Sequence, residues 1–269
     1  MGILNRTPDS FHDRGATFSL DQAVDAFSGL VADGADWVDI GGVPFSPDVP
    51  DVSETEELDR ILPVLDEVRR SSDVVISVDT FRPEVARRAI VAGADVINDT
   101  SGLHDPELAT VAAETGAILV IAHSLASPPR TKVPKPAYGD VVAEVAGFLA
   151  ERVESALDWG VKPEQIVVDP GHDLNKNTSH SLELTRRLNE IAALGYPTLA
   201  AISNKDFIGE ALDLPQTERL EGTLATAVVC ILQGARILRL HDVRAGVRAV
   251  RMTEAILGWR TPAQLRHNT

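Results

Sequence analysis

The chain has 269 residues, 44% of them hydrophobic, and a formal net charge of -15 at pH 7. That apolar content supplies a large core, and one α/β barrel of about 250 residues would use all of it. So acidic a surface repels nucleic acid and anionic membranes, and a positive site for an anionic ligand has to be built locally.

Met1-Gly-Ile-Leu-Asn5 already reads as a strand, so residues upstream of Met1 are expected. From there, short apolar runs recur about once every thirty residues, each followed by polar or glycine-rich residues and an amphipathic segment, as a βα unit requires. The runs are 2–5, 37–41, 74–79, 96–100, 117–123, 166–170, 198–203 and 237–242. Between the first two, Ala23, Phe27, Leu30 and Val31 share a helical face. In the second unit Leu58, Ile61, Leu62, Leu65 and Val68 do the same, with a kink expected at Pro63. Ser53 and Glu56 form a capping-box pattern there, and Glu54–Glu57 reads as a solvated helix start that favours the dipole. In the seventh unit Leu220, Leu224, Val228, Ile231 and Leu232 line up. Cys230, the single cysteine, lies among them and reads as a small buried hydrophobe. Gly34, Gly93, Gly116, Gly160, Gly195 and Gly234 fall where C-cap glycines should.

Eight regular units predict a (β/α)8 TIM barrel, with a doubly wound open sheet as the structural alternative. No boundary divides residues 1–269, which are expected to form one domain. Proline-rich stretches at 42–51 and 124–138 fall after the second and fifth strands, on the side where a barrel places its active site. One cysteine permits no disulfide within the chain, which fits a reducing cytoplasm. No apolar run is long enough for a membrane span, and no signal-peptide pattern is visible.

The strand ends collect Asn5, Asp39, Asp79, Asn98, His123, Asp169, Lys205, Arg239 and His241. One such residue would mean little, because βα turns often carry Asp or Asn as caps. Polar groups at the end of all eight strands are costly unless they meet a ligand or each other. Asp79, Asn98, Asp169 and Lys205 present donors and acceptors suited to a flat heterocycle. Arg239 and His241, spaced i, i+2, point to one side of the last strand and with Asn5 make a corner suited to phosphate oxygens. The alternative for the Arg239–His241 pair is a salt bridge to rim carboxylates, which a chain this acidic supplies readily. His123 reads as a satisfied core histidine, and His172-Asp173 lacks companions at metal-ligand spacing.

These residues lie in motifs that identify the chain as a member of the dihydropteroate synthase family. They are Gly2-Ile-Leu-Asn5-Arg-Thr-Pro-Asp9-Ser-Phe11, Val38-Asp39-Ile-Gly-Gly42, Ser77-Val-Asp79-Thr80, Ile97-Asn98-Asp99, Asp169-Pro-Gly171, Ser203-Asn-Lys205-Asp-Phe-Ile-Gly209 and Arg239-Leu-His241-Asp-Val243. The resemblance runs from Gly2 to about Gly258 and implies a pterin-binding TIM barrel, usually a homodimer. It joins 6-hydroxymethyl-7,8-dihydropterin diphosphate to p-aminobenzoate and releases diphosphate, with Mg²⁺ as cofactor. By motif, Asp79, Asn98, Asp169 and Lys205 correspond to the pterin-binding set. Asn5, Arg239 and His241 correspond to the diphosphate set, with Asn5 on Mg²⁺. Asp9, Asp169 and Lys205 stand as catalytic candidates, and Asp9 and Phe11 lie in the first loop.

The departures from the family cluster on the second substrate. Where the family continues Glu-Ser-Thr-Arg-Pro-Gly, this chain reads Val43-Pro44-Phe45-Ser46-Pro47-Asp48, so Ser46 replaces the loop arginine. The aromatic wall of the p-aminobenzoate site becomes Leu174, and Asp206 stands where the family binds the benzoate carboxylate. Asn5 is followed by Arg6 where the family has Val. The pattern resembles the divergent second synthase copy of actinobacteria. It implies a pterin diphosphate site with p-aminobenzoate or another amine as acceptor, Asp206 and Arg6 favouring a cationic or neutral one. The alternatives are a catalytically inactive pterin-binding paralogue and a methyltetrahydrofolate-binding domain of the methyltransferase type.

Overall fold

In the computed structural model, which describes residues 1–7, 19–44, 51–128 and 135–267, eight strands form one parallel sheet in the order β1 to β8. They are β1 (Gly2–Asn5), β2 (Trp37–Gly41), β3 (Val75–Asp79), β4 (Val96–Asp99), β5 (Ile118–Ala122), β6 (Ile166–Asp169), β7 (Thr198–Ala201) and β8 (Ala235–Arg239). Gly2 bridges Leu240 in parallel, and the Leu240 N–H donates to the Met1 carbonyl at 2.9 Å. The last strand therefore returns to the first, giving the (β/α)8 barrel rather than the open sheet.

The helices are α1 (Leu20–Ala32), α2 (Glu54–Arg69), α3 (Pro83–Val91), α4 (Glu107–Thr115), α5 (Val141–Asp158), α6 (Thr178–Arg186), α7 (Leu188–Ala192), α8 (Asp206–Leu212), α9 (Leu220–Leu232) and α10 (Val243–Ile256). They pack on the outside of the strands through one large cluster that includes Leu119, Ile121, Leu149 and Leu184, and a second that includes Phe27, Ile40, Leu65 and Ile76. Full burial of side chains of this size contributes about 1.5–3 kcal/mol each. The six expected C-cap glycines all adopt positive φ, from 77° at Gly116 to 106° at Gly93 and Gly234.

The barrel interior explains where the polar groups come to lie. Val96, Val120, Val167 and Leu199 fill a lower layer, with Trp37, Val75, Ile118 and Ile237 packed against them. Side chains two positions along a strand share a face. The next layer toward the C-terminal ends is therefore Asp39, Ser77, Asn98, Asp169 and Arg239, with small Ala122 and Ala201 between them.

Three local expectations are corrected. β8 starts and ends earlier than the apolar run, so His241 lies past the strand and does not pair with Arg239 as i, i+2 neighbours within it. Ser53 does accept the Glu56 N–H at 3.2 Å, but the Glu56 carboxylate binds Arg60 at 2.5 Å instead of completing a capping box. Glu57 is not solvated. It shares the inward face of α2 with Ile61, is fully buried, and pairs with Arg82. Burial holds its carboxyl above the ordinary range, opposed by Thr80 and Arg82. Pro63 lies inside α2, which runs from Glu54 to Arg69.

Candidate active site

Asp39 is the junction of the mouth. Register sets it beside Ser77 on β3, whose hydroxyl donates to Oδ1 at 2.6 Å. Asn98 Nδ2 donates to Oδ2 at 3.1 Å and Arg239 Nε to the same oxygen at 2.7 Å. One buried carboxylate thus orients an amide from β4 and a guanidinium from β8. Arg239 also lies 3.7 Å from Asp79. Burial works against the Arg239 charge, but Asp39 and Asp79 outweigh it and hold its pKa above the ordinary value. For Arg239, the salt bridge to rim carboxylates is the alternative to anion binding. The pairing exists, and it also fixes the direction of the guanidinium.

Asp79 and Asn98 are register partners across β3 and β4. Thr100 donates to Asp79 Oδ1 at 3.2 Å. Asp169 accepts the Gly171 N–H at 2.7 Å. Burial raises the Asp169 pKa, opposed by that N–H and by Lys205. Lys205 precedes α8, and burial lowers its pKa, with Asp173 the foremost carboxylate acting in the other direction. His241 is held by Ser203, whose Oγ accepts the His241 backbone N–H at 3.1 Å and meets Nδ1 at 2.9 Å. Asn5, half-buried at the end of β1, faces Gly41 across the β1–β2 register.

The turn after β6 forms the other side of the mouth. Gly171 has a φ of 67°, and a Cβ there would lie 2.2 Å from the His123 carbonyl oxygen, so only glycine fits. Lys176 Nζ bonds the Gly171 carbonyl at 2.9 Å, the Leu174 carbonyl at 3.0 Å and His123 Nδ1 at 2.9 Å. Burial drives the Lys176 pKa to about 7. Burial and the nearby Lys176 drive that of His123 to about 3, so its imidazole accepts as a neutral ring. His123 is indeed a satisfied core histidine, packed edge-on against Phe148 at 4.8 Å. His172 is likewise buried and neutral, its pKa driven to about 3 by burial, and Nε2 lies 3.1 Å from Thr185 Oγ1. Asn175 Oδ1 accepts from Leu125 N at 2.7 Å and Ala126 N at 3.2 Å, tying the segment after β5 to this turn.

Asp206 is exposed and pairs with Arg219 at 2.9 Å. Arg219 approaches because Gly209 has no side chain; a Cβ there would come within 2.2 Å of the guanidinium. Arg6 reaches toward α2 and donates to the backbone carbonyls of Asp59, at 3.3 Å, and Arg60. Asp9, Phe11, Phe45 and Ser46 lie outside the described residues.

Asp79, Asn98, Asp169, Lys205, Arg239, His241 and Asn5 thus come from the ends of six strands, β1, β3, β4, β6, β7 and β8, and gather at one rim. Sequence reasoning placed Asp39 among the polar strand ends but gave it no ligand role, and did not assign Ser77, Ser203, Asp173 or Lys176 to the site. The i+2 spacing of Asp39 from Trp37 on an inward face was the available signal for the first of these. Among the described residues, no group of three His, Cys, Asp or Glu side chains is placed to hold a metal ion.

The family described as pterin binding enzyme matches residues 1–241. The chain is 45% identical to the inactive dihydropteroate synthase 2 of Mycobacterium leprae over 98% of this chain and 92% of that protein. It is 41% identical to dihydropteroate synthase of Escherichia coli K12, over 96% and 91% of the two chains. The Yersinia pestis dihydropteroate synthase, solved as a sulfonamide drug complex, superposes with a TM-score of 0.91 at 36% identity, covering 97% of this chain and 94% of that one.

Proposed function

The chain belongs to the pterin-binding enzyme family, and from that premise we propose that its mouth binds 6-hydroxymethyl-7,8-dihydropterin diphosphate and transfers the pterin methylene to an amine. The observation that carries this reading is the Asp39 junction. It holds Asn98, a heterocycle-reading amide, and Arg239, an anion-binding guanidinium, on one buried carboxylate. Fixed donors and acceptors in a dry rim read a flat ring. Asp79, Asn98, Asp169 and Lys205 would contact the pterin, while Arg239, His241 and Asn5 would contact diphosphate. As diphosphate departs, positive charge develops on the pterin, and the preorganised carboxylates of Asp79 and Asp169 stabilise it. Asp169 and Lys205 act at the ring, and Asp9 is the loop candidate.

Mg²⁺ fits the donor set as a cation that arrives with diphosphate. Asn5 offers one hard amide oxygen, and Mg²⁺ commonly takes one or two protein ligands with substrate phosphates and water. Its part would be to neutralise charge on the departing diphosphate.

Titration calorimetry with dihydropterin diphosphate and Mg²⁺ tests the reading, followed by turnover with p-aminobenzoate. Binding is expected, weakened by Asp169→Asn; no binding by the wild-type protein overturns the reading. Similarity to the M. leprae protein named inactive favours a second reading, a pterin-binding paralogue without synthase turnover. Binding without turnover, unrestored by Ser46→Arg with Asp206→Ser, is its expected outcome.

The same proposal includes a homodimer, supported by the apolar side chains Val229, Leu232, Met252 and Ile256 that α9 and α10 expose. Sedimentation velocity reads it directly. A cytoplasmic location suits the free, buried Cys230, and no helix among the described residues is long and apolar enough to cross a membrane.

A further inference from the structure

We propose that Asp173 makes this site select an amine that carries no anionic group, a neutral or cationic acceptor in place of a benzoate. The inference rests on the pterin diphosphate reading above. Asp173 adopts a φ of 63°, in the left-handed region that glycine occupies without strain and most other residues avoid. Two bonds hold the carboxylate against that cost. Ser181 Oγ donates to Oδ1 at 2.9 Å, and the Phe207 N–H donates to Oδ2 at 3.3 Å. The second bond spans from the turn after β6 to the first turn of α8, two residues beyond Lys205. The carboxylate is therefore fixed, half-buried, against the start of α8, two residues from Lys205 in the chain.

Lys205 feels it. Among the carboxylates that oppose the burial-driven fall of the lysine's pKa, Asp173 ranks ahead of Asp169 and Asp206. Asp173 thus offsets part of the Lys205 charge, and although burial raises its own pKa, Lys205, Ser181 and the Phe207 N–H favour its ionised form, so an acceptor's carboxylate meets a like charge held in place. Asp206, the obvious suspect from the sequence, is a poorer barrier. Its side chain is 76% exposed and paired with Arg219, and an exposed pair is screened and weak. Leu174 on the same turn adds apolar surface without charge.

The transfer then runs with an uncharged or cationic amine. Its nitrogen lone pair forms a C–N bond at the exocyclic methylene carbon. The C–O bond to diphosphate breaks, and its electron pair leaves on diphosphate. The new ammonium gives one proton to water.

The test loads the protein with dihydropterin diphosphate and Mg²⁺ and compares 4-aminobenzamide with 4-aminobenzoate, by calorimetry or, where turnover occurs, by kcat/KM. The amide should be favoured by about tenfold or more, the scale expected of a close like-charge contact. Asp173→Asn, isosteric and tolerant of the left-handed backbone, should erase most of that preference. Asp173→Gly, which suits the backbone outright, should do the same. Asp206→Asn should move the ratio less. A wild-type preference for the benzoate, or an Asp206→Asn effect as large as that of both Asp173 variants, overturns the selectivity. Failure of dihydropterin diphosphate to bind at the loading step instead sinks the reading on which it rests.

Discussion

On the β2, β3, β4 and β8 side of the mouth, the working groups sit on strands and bind one another. Ser77, Asn98 and Arg239 all reach Asp39, at distances of 2.6, 3.1 and 2.7 Å. On the β6–β7 side, Asp173, Leu174 and Asn175 sit on the turn after β6 and Asp206 opens α8, and Asp173, Asn175 and the nearby Asn204 adopt positive φ. Their bonds run to backbone and to helices α6 and α8. A strand residue has its direction set by sheet register, and changing it disturbs several partners at once. A turn residue answers mainly to its own backbone and one or two contacts. The strand side keeps Asp79, Asn98 and Arg239 of the dihydropteroate synthase pattern, while the β6–β7 side carries, beside the matching Asp169 and Lys205, the departures Leu174 and Asp206 at positions with fewer partners.

The sharpest way to break this contrast is Arg239→Met. It strands Asp39 and Asp79 as buried carboxylates, and removal of one partner of such a pair costs about 3–5 kcal/mol. Urea unfolding should read that loss, together with loss of diphosphate-dependent binding. A variant as stable as wild type would show that the strand side is not interlocked.

Lys176→Met probes the turn side, at an expected cost on the order of 1–3 kcal/mol from the three acceptors it strands. It also carries a pH signature. The native Lys176 pKa of about 7 lies below the ordinary 10.5, so between those values the unfolded chain binds more protons than the native one. Stability contributed by this group therefore rises with pH from about 7 to 10.5. Unfolding free energies measured across that window should climb less steeply in Lys176→Met than in wild type.

The smallest effect is expected for Asn175→Gly. Glycine keeps the backbone at a φ of 54° but loses the bonds to Leu125 and Ala126. The cost should be about 1 kcal/mol, with faster amide exchange at those two residues and unchanged protection at Asn98. Equal loss of protection on both sides would collapse the comparison.

Much of the frame was legible along the chain because its signals are local. Apolar runs alternate with helical spacing, glycines end the helices, and a polar residue closes each strand, so eight units and a polar rim follow from neighbours a few positions apart. The rim residues Asp79, Asn98, Asp169, Lys205 and Arg239 were visible for that reason. The roles of Asp39, Glu57 and Lys176 were not. Asp39 meets Ser77, Asn98 and Arg239 across sequence separations of 38, 59 and 200 residues, and no local pattern reports such pairing. Glu57 looked solvated because its neighbours Glu54 and Glu56 are, yet the turn of α2 carries it inward to Arg82. The sequence alone determined that a barrel forms and which residue types line its mouth, since strand period and capping are properties of short segments. Only the tertiary structure decided which of those groups share a proton, a charge or a bond, because burial and Coulomb coupling depend on distance in space.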